Sequence, residues 1–253
     1  MQELLRKAAK KISRTLQGWS AFQDERYDRQ LYDRTLPGMR PWTSSDIVFD
    51  IGANDGRTAL RLIRHLPAQP RIFSFEPVGS TYQTLVERTS SHPNVRCFQL
   101  GMGAEAGPKT MYLHDISAMN SVNPESNPDW GRRGRTETIQ ITTLDRFTSE
   151  QHIEKIHLLK IDVEGHDLEV LQGGENALSA GLVDFIQIEC GISPGRQPSL
   201  EEVRTHLNGF DYHLYSIDNQ ARGRPLLPNG ERVKPLIMSY CDAIFVSGRH
   251  AAA

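Results

Sequence analysis

Acidic side chains lie in or directly after four apolar runs of this 253-residue chain. Asp50 lies in "IVFDIGA", Glu76 follows "RIFSF", and Glu189 follows "DFIQI". The fourth run, "HLLKI", is followed by four polar residues, namely Asp162, Glu164, His166 and Asp167. Such side chains can accept protons, bind cations or accept hydrogen bonds. If the runs are parallel strands, these residues meet at one edge of a sheet, where open sheets bind ligands.

The group after the fourth run has the composition of a proton-transfer site. A carboxylate or an imidazole within hydrogen-bond reach can take the proton of a hydroxyl group, and the unperturbed pKa of histidine lies nearest neutrality. An alternation of period two sends Asp162 and Glu164 to one face. The candidate catalytic residues are Asp162, Glu164, His166 and Glu189.

Two other interpretations of this group stay open. A histidine in the first turn of an exposed helix is often solvated or capping, which is the alternative role of His166. Asp162, Glu164 and Glu189 also offer hard oxygen ligands for a divalent cation. Carboxylates on neighbouring strands more often bind cofactor, substrate or backbone, and no metal is predicted.

A turn with little side-chain bulk follows Asp50. Gly52, Asn54 and Gly56 in "DIGANDG" connect a strand to a helix, so backbone N–H groups and the helix N-terminus face whatever lies above the sheet. A dinucleotide fingerprint G-x-G-x-x-G is broken here, because Arg57 occupies the third glycine position. An acid beside a turn of small residues favours a ligand that contains a cationic group and an adenosine-like group, such as S-adenosylmethionine. The alternative is a tight turn that only connects the strand to the helix and binds no ligand.

Glu76 lies at the end of the second predicted strand. An acid there can accept hydrogen bonds from ribose hydroxyls. This feature alone does not separate a methyl donor from a nicotinamide cofactor, but the altered glycine spacing favours the methyl donor. The alternative is an ordinary surface glutamate before a proline.

The elements around these residues alternate between strand and helix from Ile47 onward. Apolar runs such as "IVFDIGA", "HLLKIDVEG" and "DFIQIEC" alternate with helical patterns such as "TALRLIRHL" and "SLEEVRTHLNGF". Near-continuous apolar strands are typical of a sheet covered on both faces. The pattern predicts an α/β fold with a doubly wound, mostly parallel sheet. One predicted helix runs through "DLEVLQGGENALSAG", with Asp167 as its cap.

The domain organisation follows from the same pattern. We expect an N-terminal helical extension over residues 1–45 and one ligand-binding domain over residues 46–250. Two basic loops, residues 114–136 and 219–236, interrupt the alternation and are candidate lids. Asp145 in "TLDRF" is predicted to cap or turn the chain ahead of the strand "HLLKI".

Composition limits the partners and the compartment. The formal net charge of -2 gives no reason to expect a nucleic acid partner. Cys97, Cys190 and Cys241 are too far apart for metal-ligand spacing, so buried free thiols in the cytoplasm are expected. No apolar run approaches the length of a transmembrane segment. The N-terminus is basic and amphipathic, so it could contact a membrane surface peripherally. A homo-oligomer is a further alternative.

The sequence resembles the FkbM family of S-adenosylmethionine-dependent methyltransferases. The resemblance covers about residues 47–189. It lies in "FDIGANDG", "FSFEP", "GMGAEAG", "ITTLDRF" and "LKIDVEGHDLEVLQGG", in that order. Gly101 stands where that family usually has alanine.

The resemblance implies a class I methyltransferase fold, Rossmann-like, with a seven-stranded sheet whose last strand is antiparallel. It also implies O-methylation of a sugar, glycan or natural product. By resemblance, Asp50 and the turn containing Gly52, Asn54 and Gly56 hold the methionine part of the donor. Glu76 holds the ribose, and Gly101 and Met102 border the adenine. Asp162 is assigned to cofactor or acceptor.

Two other functions are weighed against this one. An NAD-type oxidoreductase is weakened by Arg57 and by the lack of a Tyr-x-x-x-Lys hydride-transfer set. A catalytically inactive cofactor-binding domain that serves as an interaction partner is weakened by the presence of Asp50, Glu76 and Asp162.

Overall fold

The computed structural model describes residues 35–113, 120–122, 135–192, 198–218 and 240–251. Most of the predicted N-terminal extension and of the two predicted loops therefore lies outside the described residues. Among the described residues, no helix is both long and apolar enough to cross a membrane.

The main sheet has seven strands, and a smaller sheet has three. The strands of the main sheet are β1 (Ile47–Ile51), β2 (Arg71–Phe75), β3 (Val95–Phe98), β7 (Ile156–Ile161), β8 (Val183–Gly191), β9 (Tyr212–Asp218) and β10 (Tyr240–Ser247). The smaller sheet contains β4 (Gly101–Met102), β5 (Gly107–Tyr112) and β6 (Thr136–Thr142). The helices are α1 (Leu36–Gly38), α2 (Arg57–His65), α3 (Gly79–Thr89), α4 (Leu144–Glu150), α5 (Asp167–Gln172), α6 (Glu175–Ser179), α7 (Leu200–Asn208) and α8 (Gly248–Ala251).

The strand order of the main sheet is β3-β2-β1-β7-β8-β10-β9. All neighbouring strands are parallel except that β10 is antiparallel to both β8 and β9. This arrangement confirms the predicted mostly parallel α/β sheet and its antiparallel last strand. In the centre, β1 pairs with β2 and β7, so the carboxyl ends of these three strands adjoin.

Apolar packing on both faces holds β1 in the middle of the sheet. Every residue of β1 is buried. Phe49 faces a cluster of aromatic rings from β2, β3 and α4, with ring centroids 4.8 to 5.7 Å apart. Val48 faces the other side, where it packs with Leu62 of α2. Full burial of each such side chain stabilises the fold by about 1.5–3 kcal/mol, which fixes the strand end that carries the turn.

The helix predicted over "DLEVLQGGENALSAG" is two helices, so that prediction was wrong. The backbone breaks at Gly173 and Gly174, between α5 and α6. A Cβ at Gly173 would collide with the carbonyl oxygen of Gly103, and a Cβ at Gly174 would press on Leu144. Close backbone approach by the smaller sheet and α4 therefore requires the two glycines.

The predicted cap of this helix was also wrong. Asp167 is the first residue of α5, and His166 precedes it. The Asp167 carboxylate accepts N–H groups from Val163 at 3.1 Å and Gly165 at 3.2 Å. It therefore stabilises the turn before the helix. We name residues 162–166 the β7 turn.

Candidate active site

The turn after β1, residues 52–56, has a backbone that requires glycine. Gly52 and Gly56 have φ angles of 78° and 86°, in the left-handed region that a Cβ disfavours. A Cβ at Gly52 would also collide with the carbonyl oxygen of Asp162. The N–H groups of Gly52 and Ala53 donate to the carbonyl of Phe75 at 3.1 and 2.9 Å. This turn is thereby held close to the ends of β2 and β7.

A cavity of about 390 Å³ opens at the carboxyl ends of β1, β2 and β7. We name it the larger cavity. Its lining contains predicted site residues together with residues of α2 and the β4–β6 sheet, namely Gly52, Ala53, Asn54, Asp55, Arg57, Thr58, Arg61, Glu76, Pro77, Val78, Met111, Asn120, Asp162, Val163 and Glu164. Asn54 and Glu164 have positive φ angles of 47° and 55°, and such non-glycine residues cluster at functional sites.

A smaller cavity of about 60 Å³ adjoins it. The two cavities share four residues, namely Gly52, Pro77, Met111 and Val163. The walls of the smaller cavity are mainly apolar and include Phe75, Met102, Ile139 and Ile141, with Gly101 beside them. His166, Glu169 and Lys109 add polar groups. An apolar cleft with a few polar groups suits a flat heterocycle.

Glu76 is fixed between the glycine turn and the chain that follows β2. Its Oε2 accepts the N–H of Asn54 at 3.1 Å, and its Oε1 accepts the N–H of Val78 at 2.9 Å. Burial raises the pKa of Glu76 to about 7, although both N–H donors act in the opposite direction. Each carboxylate oxygen has two lone pairs, so the side chain retains acceptor capacity toward the larger cavity.

The β7 turn and the first residue of α5 bring three carboxylates close together. β7 ends at Ile161, so strand alternation does not govern Asp162 and Glu164, yet both line the larger cavity. Burial, with a smaller contribution from Asp162, raises the pKa of Glu164 to about 8. Burial also raises the pKa of Asp167 to about 7. A carboxylate with such a pKa is a stronger base than an ordinary one, as proton transfer at neutral pH requires.

Glu189 lies beside this group but lines neither cavity. The strand β8 continues past it to Gly191, and Asp242 of β10 is its cross-strand neighbour. Burial raises the pKa of Glu189 well above its ordinary value, and the charges of Asp162 and Asp242 add to this effect.

His166 faces the smaller cavity. Its Nδ1 lies 3.1 Å from Oε1 of Glu169, and hydrogen bonding from His166 lowers the pKa of Glu169. Because His166 does not line the larger cavity, its catalytic assignment stays a prediction, and its position favours contact with a ligand in the smaller cavity.

Asp50 is fully buried and lines neither cavity. Its Oδ1 lies 3.3 Å from Nζ of Lys160, the neighbouring residue on β7. Burial raises the pKa of Asp50, and Lys160 acts against this shift. Lys160 was not among the predicted site residues. The available signal was a lysine inside an apolar strand, two residues before Asp162.

Cofactor and metal candidates differ in how well they fit these residues. Among the described residues, no group of three or more His, Cys, Asp and Glu side chains has an arrangement that could hold a metal ion. The residues that line the two cavities have the chemistry that S-adenosylmethionine requires. An apolar cleft of this kind accepts a flat base, Glu76 retains acceptor capacity for hydroxyls, and acids lie beside the glycine turn where a cationic group would be held.

Comparison with known proteins agrees with this geometry. The seven-stranded sheet is that of class I methyltransferases. The crystal structure of methyltransferase FkbM from Methylobacillus flagellatus superposes with a TM-score of 0.55 at 18% identity, covering 86% of this chain and 47% of that one. Residues 50–214 match the methyltransferase FkbM domain, and the chain belongs to this family.

Two relatives have names that mention a substrate or a position. The hexuronic acid methyltransferase AglP of Haloferax volcanii is 28% identical over 152 residues, which cover 59% of this chain and 58% of AglP. The 2-O-methyltransferase NoeI of Sinorhizobium fredii is 26% identical over 144 residues, which cover 53% and 59%. The matched region thus spans somewhat more than half the length of these relatives.

Proposed function

We propose that the protein is an S-adenosylmethionine-dependent O-methyltransferase acting on a hydroxyl of a sugar, glycan or natural product. The observation that carries this proposal is the pair of adjoining cavities at the ends of β1, β2 and β7. One is polar and bounded by a turn without room for a Cβ, and the other is mainly apolar. Family membership supports methyl transfer, and the names of AglP and NoeI support a sugar-like acceptor.

For methyl transfer, the protein mainly has to orient the acceptor hydroxyl and accept its proton. The donor supplies an electrophilic methyl group on a sulfonium sulfur. Residues of the larger cavity hold the acceptor oxygen in line with that methyl group, an effect of proximity. Formation of the oxygen–carbon bond would break the carbon–sulfur bond and release the donor as a neutral thioether. The hydroxyl proton would pass to a carboxylate, for which Glu164 and Asp162 are the candidates that line the cavity. Glu189 is a candidate through its position behind them.

Calorimetric titration with S-adenosylhomocysteine and, separately, with NAD tests the donor. We expect binding of the adenosylhomocysteine alone. In Glu76→Ala this affinity falls about tenfold or more, because a hydrogen bond to a charged group contributes roughly 1.5–3 kcal/mol. The control is Glu137→Ala. Glu137 also accepts a backbone N–H, from Gly79 at 2.9 Å, but it lines neither cavity.

The outcomes separate the alternatives. Binding of NAD alone would replace the proposal with an oxidoreductase. Binding of neither would leave a fold without the proposed donor. Donor binding without methyl transfer from labelled donor to a panel of uronic acids, neutral sugars and glycosides would point to an inactive, cofactor-binding interaction domain.

The proposal extends to the location and extent of the domain. Cys97, Cys190 and Cys241 are free thiols, as expected in a reducing compartment, and we propose the cytoplasm. We also propose residues 46–250 as the folding unit, with the preceding residues as an extension.

A further inference from the structure

Lys160 lies in the interior of the main sheet, where a charge is costly. Only 4% of its surface is exposed. It occupies β7 beside Asp50 of β1 and Gln187 of β8. A buried ammonium group persists only when it is paired and hydrogen-bonded, so its partners indicate what the charge is for.

Within the described part of the chain, the ammonium group contacts β1, the glycine turn and the β7 turn. Its Nζ lies 3.3 Å from Oδ1 of Asp50 on β1 and 3.3 Å from Oδ2 of Asp162 in the β7 turn. It also donates to the carbonyl oxygen of Gly52 at 3.5 Å. One cation therefore connects β1, the glycine turn and the β7 turn.

Two of these three partners line the larger cavity, whereas Lys160 itself does not. The side chain of Asp162 is 44% exposed. A carboxylate that exposed can change its rotamer. The ion pair with Lys160 restricts this motion. The backbone of Gly52 passes so close to Asp162 that a Cβ at residue 52 would collide with the Asp162 carbonyl oxygen. Lys160 can therefore act on a ligand in the larger cavity through Asp162 and Gly52.

We propose that Lys160 is a positioning residue of the donor site, which holds the Asp162 carboxylate and the Gly52 carbonyl in place while it compensates the buried charge of Asp50. This inference rests on the proposed function, because the ligand that it positions is the methyl donor.

A double-mutant cycle on donor binding tests the inference. The variants are Lys160→Met, Asp162→Asn and the combination, titrated with S-adenosylhomocysteine and S-adenosylmethionine. We expect Lys160→Met to lower affinity about tenfold. In the Asp162→Asn background the same change has a clearly smaller effect, because residues that act through one another are not additive. Independent, multiplying effects would overturn the route through Asp162.

Lys155→Met is the matched control. Lys155 pairs with Asp184, a carboxylate as buried as Asp50, and its ammonium donates to the carbonyl of Gly181, although its own side chain is 36% exposed. This pair lies at the amino end of the sheet, away from both cavities. We expect lower thermal stability and wild-type donor affinity. A purely structural role for Lys160 would give the same result in Lys160→Met, and that result would overturn the proposal.

A further pair of variants keeps the test usable if Lys160→Met does not fold. Replacing both members of a buried ion pair is far less costly than removing one. Lys160→Met combined with Asp50→Asn is therefore compared with Asp50→Asn alone. Weaker donor binding in the double variant supports the proposal, and equal binding overturns it. If the wild-type protein binds no donor, the proposed function itself fails, which the wild-type titration reveals first.

Discussion

Gly52 must meet two requirements that only glycine meets together. Its φ of 78° is unfavourable for other residues, and a Cβ would meet the backbone of Asp162. We predict that Gly52→Ala lowers the free energy of unfolding by about 2 kcal/mol or more and abolishes donor binding. Urea denaturation and calorimetry measure the two effects.

Gly38 provides the control for this substitution. It ends α1, and a Cβ there meets no atom within 4 Å. Gly38→Ala should change stability by less than about 1 kcal/mol and leave donor affinity unchanged. Similar losses in both variants would contradict the steric argument.

The position of His166 leads to a prediction about its role. It pairs with Glu169 and lines the smaller cavity but not the larger one. We predict that His166→Ala raises the KM for the donor several-fold and leaves kcat, and its pH dependence, near the wild-type value. Initial rates across pH with an acceptor found in the panel would measure both. A selective loss of kcat would instead support a general base.

Among the helices, α4 and α6 are connected by one carboxylate. Asp145 of α4 accepts the N–H groups of Asn176 and Ala177 at 3.0 and 2.8 Å, and the Asn176 amide at 2.8 Å. It thus satisfies the N-terminus of α6, which follows β7. The prediction that Asp145 caps or turns the chain ahead of β7 was therefore wrong about the place, because Thr143 caps α4. We predict that Asp145→Ala costs about 1–2 kcal/mol, as loss of a helix cap does.

The same substitution should leave the site intact. Asp145 lines neither cavity, so donor affinity should stay at the wild-type value. Glu150→Ala, on the exposed end of the same helix and paired with Arg146, is the control and should change stability by less than about 1 kcal/mol. Donor affinity that falls in Asp145→Ala would mean that α6 supports the site.

The main sheet could be predicted from sequence because its strands are apolar throughout and flanked by helical patterns. The smaller sheet could not be derived from the sequence in the same way. Its β5 contains Pro108, Lys109 and Thr110, which are exposed, and a strand that buries so few side chains has no clear hydrophobic period. The break between α5 and α6 depends on contacts with Gly103 and Leu144, which are distant in sequence.

At the site, the sequence indicated which residues gather but not how deep each one lies. Glu76, Asp162 and Glu164 line the larger cavity as expected, whereas Asp50 lies beneath it. Strand register determines that difference, since Asp50 pairs with Ser74 and Lys160 in the sheet interior. Register between parallel strands arises from long-range packing and cannot be derived from local periodicity.

The acids of the site make the stability of the whole molecule depend on pH. Burial raises the pKa values of Glu76 and Asp167 to about 7 and that of Glu164 to about 8. The folded state therefore binds protons that the unfolded state has already released, so the free energy of unfolding falls as pH rises. Two half-buried histidines, His157 and His206, have pKa values lowered by desolvation, and they make the free energy of unfolding rise with pH below about 6.5.

We predict a decrease in the free energy of unfolding from pH 6.5 to pH 8, and a shallower decrease in Glu164→Gln, which removes the group with the highest of these three pKa values. Urea denaturation at several pH values in one ionic strength measures both slopes. Parallel curves for the two proteins would contradict the raised pKa of Glu164.

The position of β10 also has a consequence for how the chain is assembled during synthesis. β9 pairs only with β10 among the described strands, and β10 separates it from β8. Until residues 240–247 leave the ribosome, β8 remains an unpaired edge and β9 has no strand to join. Such an edge is prone to pairing with other chains. The sheet can therefore be completed only after β10 has left the ribosome. A nascent chain stalled before residue 240 should depend most on chaperones.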